Sequence, residues 1–273
     1  MLGLEVFIAA IGAGLFGSLA GIGGGLIIVP LLTIALGVDI KHAIAASLLG
    51  VIAVSTAAAS TYLQSGLVDR RLGLTLLLAT AAGGIAGGYV GGLLDPQLLA
   101  GIFGVVLVLV AIQMLRGRRA TPVELSGEPT GFEFDASYVE PTTGQELTYR
   151  ARRIGLGTAI SLVAGALSGL LGVGGGIVNV PTMNLVMGIP IRVALTTSTY
   201  MLGATAAASA VIYYSRGLVD PLIAAPVVVG VFIGARIGAR LAHRLPQHAL
   251  QLLFVAVAAI FAVQMLLRAA GRA

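Results

Sequence analysis

Apolar positions along this chain gather into runs long enough to span a bilayer, on the order of 20 residues each. The runs fall at roughly 42–63, 72–94, 98–115, 193–214, 221–243 and 248–267, and each reads as a transmembrane helix. Of the 273 residues, 58% are hydrophobic and 10% charged, too few charges to cover the surface of a soluble domain of this size. Gly is abundant at 39 residues, as expected where membrane helices approach closely, while Cys and Trp are absent. Without Cys there are no disulfides or thiolate metal sites. Leu2, Gly3, Leu4 and Glu5 after Met1 form no basic leader, so the first apolar stretch reads as part of the membrane domain.

The runs are duplicated. Shifting the sequence by 151 residues aligns GLFGSLAGIGGGLIIVP (14–30) with GALSGLLGVGGGIVNVP (165–181), and the match continues without a gap for roughly a hundred positions. Pro30 meets Pro181, Gly37 meets Gly188, Ser47 meets Ser198 and Tyr62 meets Tyr213. Residues 66–69 (GLVD) meet the same four letters at 217–220, and QML recurs at 113–115 and 264–266. The organisation read from this is a first transmembrane repeat over 1–116, a polar linker over 117–150 and a second repeat over 151–273. The fold class is an all-α membrane protein with about four transmembrane helices per repeat. Duplicated membrane halves are typical of secondary transporters, in which one half moves against the other around an interfacial site.

Each repeat opens with an apolar segment, then GIGGG (21–25) or GVGGG (172–176), then a shorter apolar segment holding the Pro. Four Gly in five positions cost a helix about 1 kcal/mol each relative to Ala, and Pro removes a backbone donor, so the helix breaks here. Broken backbone at membrane depth is tolerated only inside protein or beside a wet cavity, so paired breaks point to a transport site. The competing reading is that these glycines merely let two helices cross closely. A phosphate-binding loop is the weaker reading, because neither stretch has the Lys-Ser/Thr ending.

The paired G-x-GGG-x₄-P motifs are each followed by a Gly-containing turn and an Ala/Thr-rich stretch with Ser, AIAASLLG at 43–50 and ALTTSTYM at 194–201. In these features the chain resembles the sulfite exporter TauE/SafE family over nearly its whole length apart from 116–150. The resemblance implies a multi-pass cell-membrane transporter of sulfur-containing anions such as sulfite, thiosulfate or sulfonates. The linker is longer than the family pattern leads one to expect.

The residue inventory fits an anion. Glu5, Asp39, Asp69, Asp95 and Asp220 fall near segment ends, whereas a cation carrier keeps an acid at depth. Candidate substrate-binding groups are the break glycines Gly23, Gly24, Gly25, Gly174, Gly175 and Gly176, with Ser47, Asn179, Asn184, Thr197 and Ser198 able to hydrogen-bond oxyanion oxygens. The structural alternative for Ser and Thr is bonding to backbone carbonyls or across helices. Arg236 and Arg240 lie four apart on one helix with His243 and Arg244 beyond. Arg236 enters the list as a counter-ion, against the alternative that such arginines snorkel to headgroups. Its repeat partner is Ile85, so that charge belongs to one half.

The pI of about 10 does not indicate nucleic acid, because the basic residues flank apolar segments. Arg116, Arg118 and Arg119 stand at the start of the linker and Arg150, Arg152 and Arg153 at its end, which makes the linker cytoplasmic by the positive-inside rule. Arg268 and Arg272 favour the same side for the C-terminus, and hence an even number of crossings per repeat and parallel halves. Within the linker, two aromatic and β-branched runs flank Pro-Thr-Thr-Gly, reading as a small β-hairpin or else a plain solvated connector. No cofactor motif occurs. An intramembrane enzyme is disfavoured: Ser168 lies beside the second Gly motif, but His42, His243 and His248 are near segment ends with no acid to orient them. An anion channel, or a transporter of a non-sulfur anion, remains the alternative. The partners implied are a small anion and the lipid bilayer, with the number of subunits left open.

Overall fold

The computed structural model describes residues 2–20, 24–64, 67–116, 134–139, 146–242 and 247–271. Gly23, Arg118, Arg119, His243, Arg244 and Arg272 lie outside these residues, as do the side chains of Tyr62, Arg240 and His248. The chain is an all-α membrane protein. Its first half comprises α1 (Leu2–Ala20), the short α2 (Gly25–Pro30) continued by a π-helical turn (Leu31–Ala35), α3 (Ile40–Gln64), α4 (Arg70–Leu93) and α5 (Pro96–Arg116). Strands β1 (Phe134–Val139) and β2 (Glu146–Ala151) follow. The second half comprises α6 (Ile154–Leu171), α7 (Gly176–Pro181) with its π-helical turn (Thr182–Val186), α8 (Ile191–Ser215), α9 (Pro221–Ala242) and α10 (Gln247–Ala269). Helices α3, α4, α5, α6 and α9 are long and apolar enough to cross a membrane. Large apolar side chains such as Leu78 and Leu222 point outward, as a lipid-facing surface requires.

The breaks have local causes. Pro30 and Pro181, which lack an N–H, end α2 and α7, and hydroxyls tie the following turns back: Thr33 Oγ1 donates to Val29 O at 2.8 Å and Thr182 Oγ1 to Val178 O at 2.7 Å. Gly37 and Gly188, at φ 65° and 75°, then turn the chain, and Val38 N and Ile189 N close the turns on Leu32 O and Met183 O. Asp69 caps α4, its Oδ1 accepting from Leu72 N at 3.0 Å.

Glycine contacts fix the helix directions. Gly83, Gly87 and Gly91 of α4 lie against Leu162, Ala166 and Leu170 of α6, both numbers rising together, so these helices run parallel. The counterpart pair is also parallel: Gly230 and Gly234 of α9 meet Phe7–Ala10 and Ile11–Leu15 of α1. Helices α4 and α8 run parallel too, joined by Asp69 N to Thr197 Oγ1 at 3.0 Å at their starts and Thr205 Oγ1 to Thr80 Oγ1 at 2.9 Å midway. By contrast α3 opposes α4. The end of α3 feeds the start of α4, while Lys41 Nζ at the start of α3 reaches Gly92 O at the end of α4 at 3.1 Å. Helix α3 therefore opposes its own counterpart, α8. The same holds for α5 and α10, where Gly101 faces Ala269 and Gly104 faces Leu266.

Corresponding helices thus run in opposite directions, which corrects the parallel arrangement read from the arginines. The linker and the end of α10 lie at opposite ends of the bundle. The physical reason is the hairpin turn at each Gly cluster. Gly17 packs directly on Gly24, so α2 folds back along α1 instead of continuing across, and three full-length helices remain in each half to carry the chain from end to end.

The linker strands pair antiparallel from Phe134 opposite Ala151 to Val139 opposite Glu146. They are not merely solvated. Tyr138, Tyr149 and Ala151 are buried in a second apolar cluster with Leu72, Leu76, Met183, Met187 and Val193. Tyr149 Oη donates to Asp69 Oδ2 at 2.8 Å, and Arg152 N donates to Met187 O at 3.0 Å. The hairpin thereby seals one end of the bundle over the starts of α4, α6 and α8.

Candidate functional site

The two Gly turns meet inside the bundle. Gly25 lies against the backbone of Gly172 and Val173 so closely that a β-carbon would overlap them, and Ser47 Oγ donates to Gly172 O at 2.8 Å. Gly24, Gly172 and Gly174 adopt φ of 78°, 70° and 72°, a left-handed conformation that disfavours other residues. Beside the second turn is a cavity of about 20 Å³, between Ala164, Ser168 and Leu171 of α6, Val106 of α5 and the Gly174–Gly175 segment. That is room for one water-sized group.

Around this turn the structure collects polar atoms that the protein leaves unbonded. Ser168 Oγ, Asn179 Oδ1 and Ser198 Oγ are buried without a hydrogen-bond partner, as is Ser161 Oγ one helical stretch away on α6. Their residues are 2%, 2%, 1% and 0% exposed. Ser168 lines the cavity, Asn179 packs on Gly175, and Ser198 faces Gly176. Buried groups of this kind cost free energy unless something bonds to them, so four in one half call for an explanation. The repeat counterparts of Ser161, Ser168 and Asn179 are Ala10, Gly17 and Ile28, and that of Ser198 is Ser47, which is already bonded. Among the described residues the unsatisfied set is therefore confined to the second half.

Other candidates from the sequence lie elsewhere. Thr197 accepts from Asp69 N, and its neighbour Thr196 donates to Leu67 O at 2.7 Å, so both tie α8 to the start of α4. Asn184 Nδ2 donates to Ile189 O at 2.8 Å and holds the turn after α7. Arg236 is exposed, its guanidinium 5.9 Å from the ring centroid of Phe232, and is not brought to the Gly turns. Ser161 and Ser168 were not among the candidates. Their seven-residue spacing, with Ala164 and Gly165 between, marks one face of α6 and was the available signal.

No charged side chain is buried among the described residues; every buried polar one is Ser, Thr or Asn. Such a lining can hydrogen-bond an oxyanion but offers neither a counter-charge nor a general base with an orienting acid.

A family model described as sulfite exporter TauE/SafE matches residues 6–265. The chain belongs to the sulfite exporter TauE/SafE family. Among the relatives of this TauE/SafE chain, a probable membrane transporter protein, YunE, from Bacillus subtilis (strain 168) is 31% identical over 227 residues, covering 81% of each chain. Another, from Xylella fastidiosa (strain 9a5c), is also described as a probable membrane transporter protein. It is 29% identical over 233 residues, 83% of this chain and 81% of the relative. No solved structure matches the chain. As a TauE/SafE protein with apolar helices of spanning length, the chain is a multi-pass membrane transporter, not an enzyme.

Proposed function

We propose that this transporter exports a small sulfur-containing anion, such as sulfite, thiosulfate or a sulfonate, by alternating access between its two halves. The observation that carries this reading is the set of buried, unbonded groups around a Gly turn: the hydroxyls of Ser168 and Ser198 can donate to an oxyanion, and Asn179 Oδ1 can accept from a protonated one. Gly174 and Gly175 beside it let backbone and ligand approach closely. The small size of the cavity supports a carrier that must part its halves to load rather than an open pore.

The positive-inside rule supports a cytoplasmic hairpin end of the bundle. Arg70, Arg71, Arg150, Arg152, Arg153 and Arg192 belong to segments at that end, against Lys41, Arg216 and Arg268 at the other. On this orientation the C-terminus is outside, and export begins with loading from the hairpin end. The test is counterflow in proteoliposomes: protein loaded with unlabelled sulfite should accumulate labelled sulfite, and a panel of thiosulfate, sulfonates, sulfate and carboxylates ranks the substrates. Accumulation driven equally by carboxylates would overturn the sulfur assignment.

A further inference from the structure

We propose that the site takes sulfite in its singly charged form, hydrogensulfite, and excludes dianions; this rests on the sulfur-anion reading above. Two independent features of the interior lead there. The first is charge. Every buried polar side chain among the described residues is neutral, and Arg236 of α9 is exposed. The cost of taking an ion out of water rises with the square of its charge, so a dianion faces about four times the penalty of a monoanion. An anion of charge −2 normally meets a guanidinium, ammonium or metal ion. Two hydroxyls and an amide can solvate a single delocalised charge.

The second feature is the type of the unbonded atoms. Ser168 Oγ and Ser198 Oγ can each donate one proton and accept others, whereas Asn179 Oδ1 can only accept. With the amide oxygen so placed the site calls for a partner that both gives and takes hydrogen bonds; with the amide turned over Nδ2 donates as well, and the charge argument alone then selects the monoanion. Hydrogensulfite is such a partner. Its protonated oxygen or sulfur donates to the Asn179 carbonyl oxygen, and its remaining oxygens accept from the serines. Sulfite dianion has no proton to give and would set its lone pairs against that of Asn179. Sulfate and thiosulfate, both dianions at neutral pH, meet the same obstacle. The selection falls on Asn179 in particular, since its repeat counterpart is Ile28.

The second ionisation of sulfurous acid lies near neutrality, so the two forms can be exchanged by pH within the range a membrane protein tolerates. The experiment is uptake of labelled sulfite into proteoliposomes at fixed total sulfite, with equal pH on both sides, from pH 6 to 9. Flux should fall about tenfold for each pH unit above that ionisation, following the hydrogensulfite fraction. It should recover fully when the vesicles are returned to pH 6. At a single pH of 7, methanesulfonate, a monoanion that like the dianions has no proton to give, isolates the effect of charge: it should compete with sulfite at least about tenfold better than sulfate or thiosulfate does, yet less well than hydrogensulfite. Flux that is flat or rises with pH, or competition by dianions equal to that of methanesulfonate, overturns the proposal while leaving a sulfur-anion transporter in place. Absence of saturable sulfite flux at every pH, with the protein folded and inserted, removes the underlying reading instead.

Discussion

Ser47 and Ser198 occupy equivalent positions in the two halves, and the structure gives them opposite work. Ser47 is fully buried and its hydroxyl bonds to Gly172 O at 2.8 Å, joining α3 to the turn of the other half. Ser198 is equally buried, but its hydroxyl has no partner. Ser47→Ala therefore removes the donor and leaves a buried carbonyl short of a bond, a loss of about 1–3 kcal/mol. For a chain of this size roughly 2–4 °C of melting temperature accompanies each kcal/mol, so the variant should melt several degrees lower. Ser198→Ala removes an unsatisfied hydroxyl instead. Stability should be unchanged, or raised by up to about 1 kcal/mol, because a desolvated polar group has been deleted.

Ligand binding should respond the other way round. If Ser198 bonds the anion, its loss costs about 1.5–3 kcal/mol of charge-assisted hydrogen bonding, which is roughly tenfold to a hundredfold in affinity. Melting of purified protein in detergent, titrated with sulfite at pH 6, reads both effects at once, since binding to the folded state raises the melting point by mass action. Ser47→Ala should start low and keep its sulfite-induced rise at saturating ligand. Ser198→Ala should start near the parent value and need far more sulfite for the same rise. Equal baseline losses in the two variants, or an unshifted sulfite titration in Ser198→Ala, would refute the assignment of that hydroxyl to substrate.

Arg236→Gln should change sulfite flux less than about twofold, because the guanidinium is exposed over Phe232 and its removal costs surface attraction only; a larger loss would restore it as a counter-ion. Gly87→Leu should unseat α4 from α6 and abolish transport, since Gly87 abuts the Ala166 backbone, whereas Gly12→Ala, with nothing within 4 Å of the new methyl, should leave flux intact. Tyr149→Phe should free the hairpin, raising hydrogen exchange of β2 amides by roughly tenfold for the loss of about 1.5 kcal/mol of bonding to the Asp69 carboxylate. In the parent, burial first and the Asp69 charge second push the Tyr149 phenol above its ordinary range. Its contribution to docking should hold fully below about pH 10 and be lost only at more alkaline pH, as exchange measured against pH will tell. Single cysteines at the exposed positions Ser137 and Ala270 should react with a membrane-impermeant thiol reagent from opposite sides; labelling from one side would contradict the inverted arrangement.

Much of the architecture could be read from the letters because it rests on local chemistry. Long apolar runs mean helices in lipid, and clustered Gly followed by Pro means a break, whatever surrounds them. The direction of the halves could not be read so. It depends on whether α2 crosses or folds back, and that is decided by Gly17 meeting Gly24, a contact seven residues apart that no hydropathy pattern encodes. Placing Arg268 and Arg272 on the same side as the arginines that flank the linker then pulled the topology toward parallel halves, although the structure puts the end of α10 at the opposite end of the bundle from the linker. For site residues, identity of type was a poor guide. Thr197 and Asn184 look as polar as Ser198 and Asn179, but backbone atoms five residues or a whole helix away already occupy them. Ser168 drew notice only as a nucleophile lacking a base, because bonding need becomes visible only once neighbours are placed.

An inverted repeat supplies two routes to one site, each made from the same elements in exchanged roles. Here the exchange is visible in the packing. The seam between α1 and α9 and the seam between α4 and α6 are equivalent, and both are closed by glycine backbones in direct contact. On the proposed mechanism, opening toward either side means loosening one seam while the other stays shut. Among the described residues, however, the unbonded polar groups belong to α6, α7 and α8, so on this mechanism a bound anion would travel with the second half; the counterparts of Ser161, Ser168 and Asn179 in the first are the apolar Ala10, Gly17 and Ile28. The hairpin adds a further inequality, since it is fastened across the starts of α4 and α6, at one end of one seam. On the proposed mechanism, two routes that symmetry would make equal would thereby be made unequal twice, once by the chemistry of the site and once by the cap. Such an asymmetry sets which side loads and releases faster and at what concentration each face saturates, while the net direction of transport is set by the gradients that drive it.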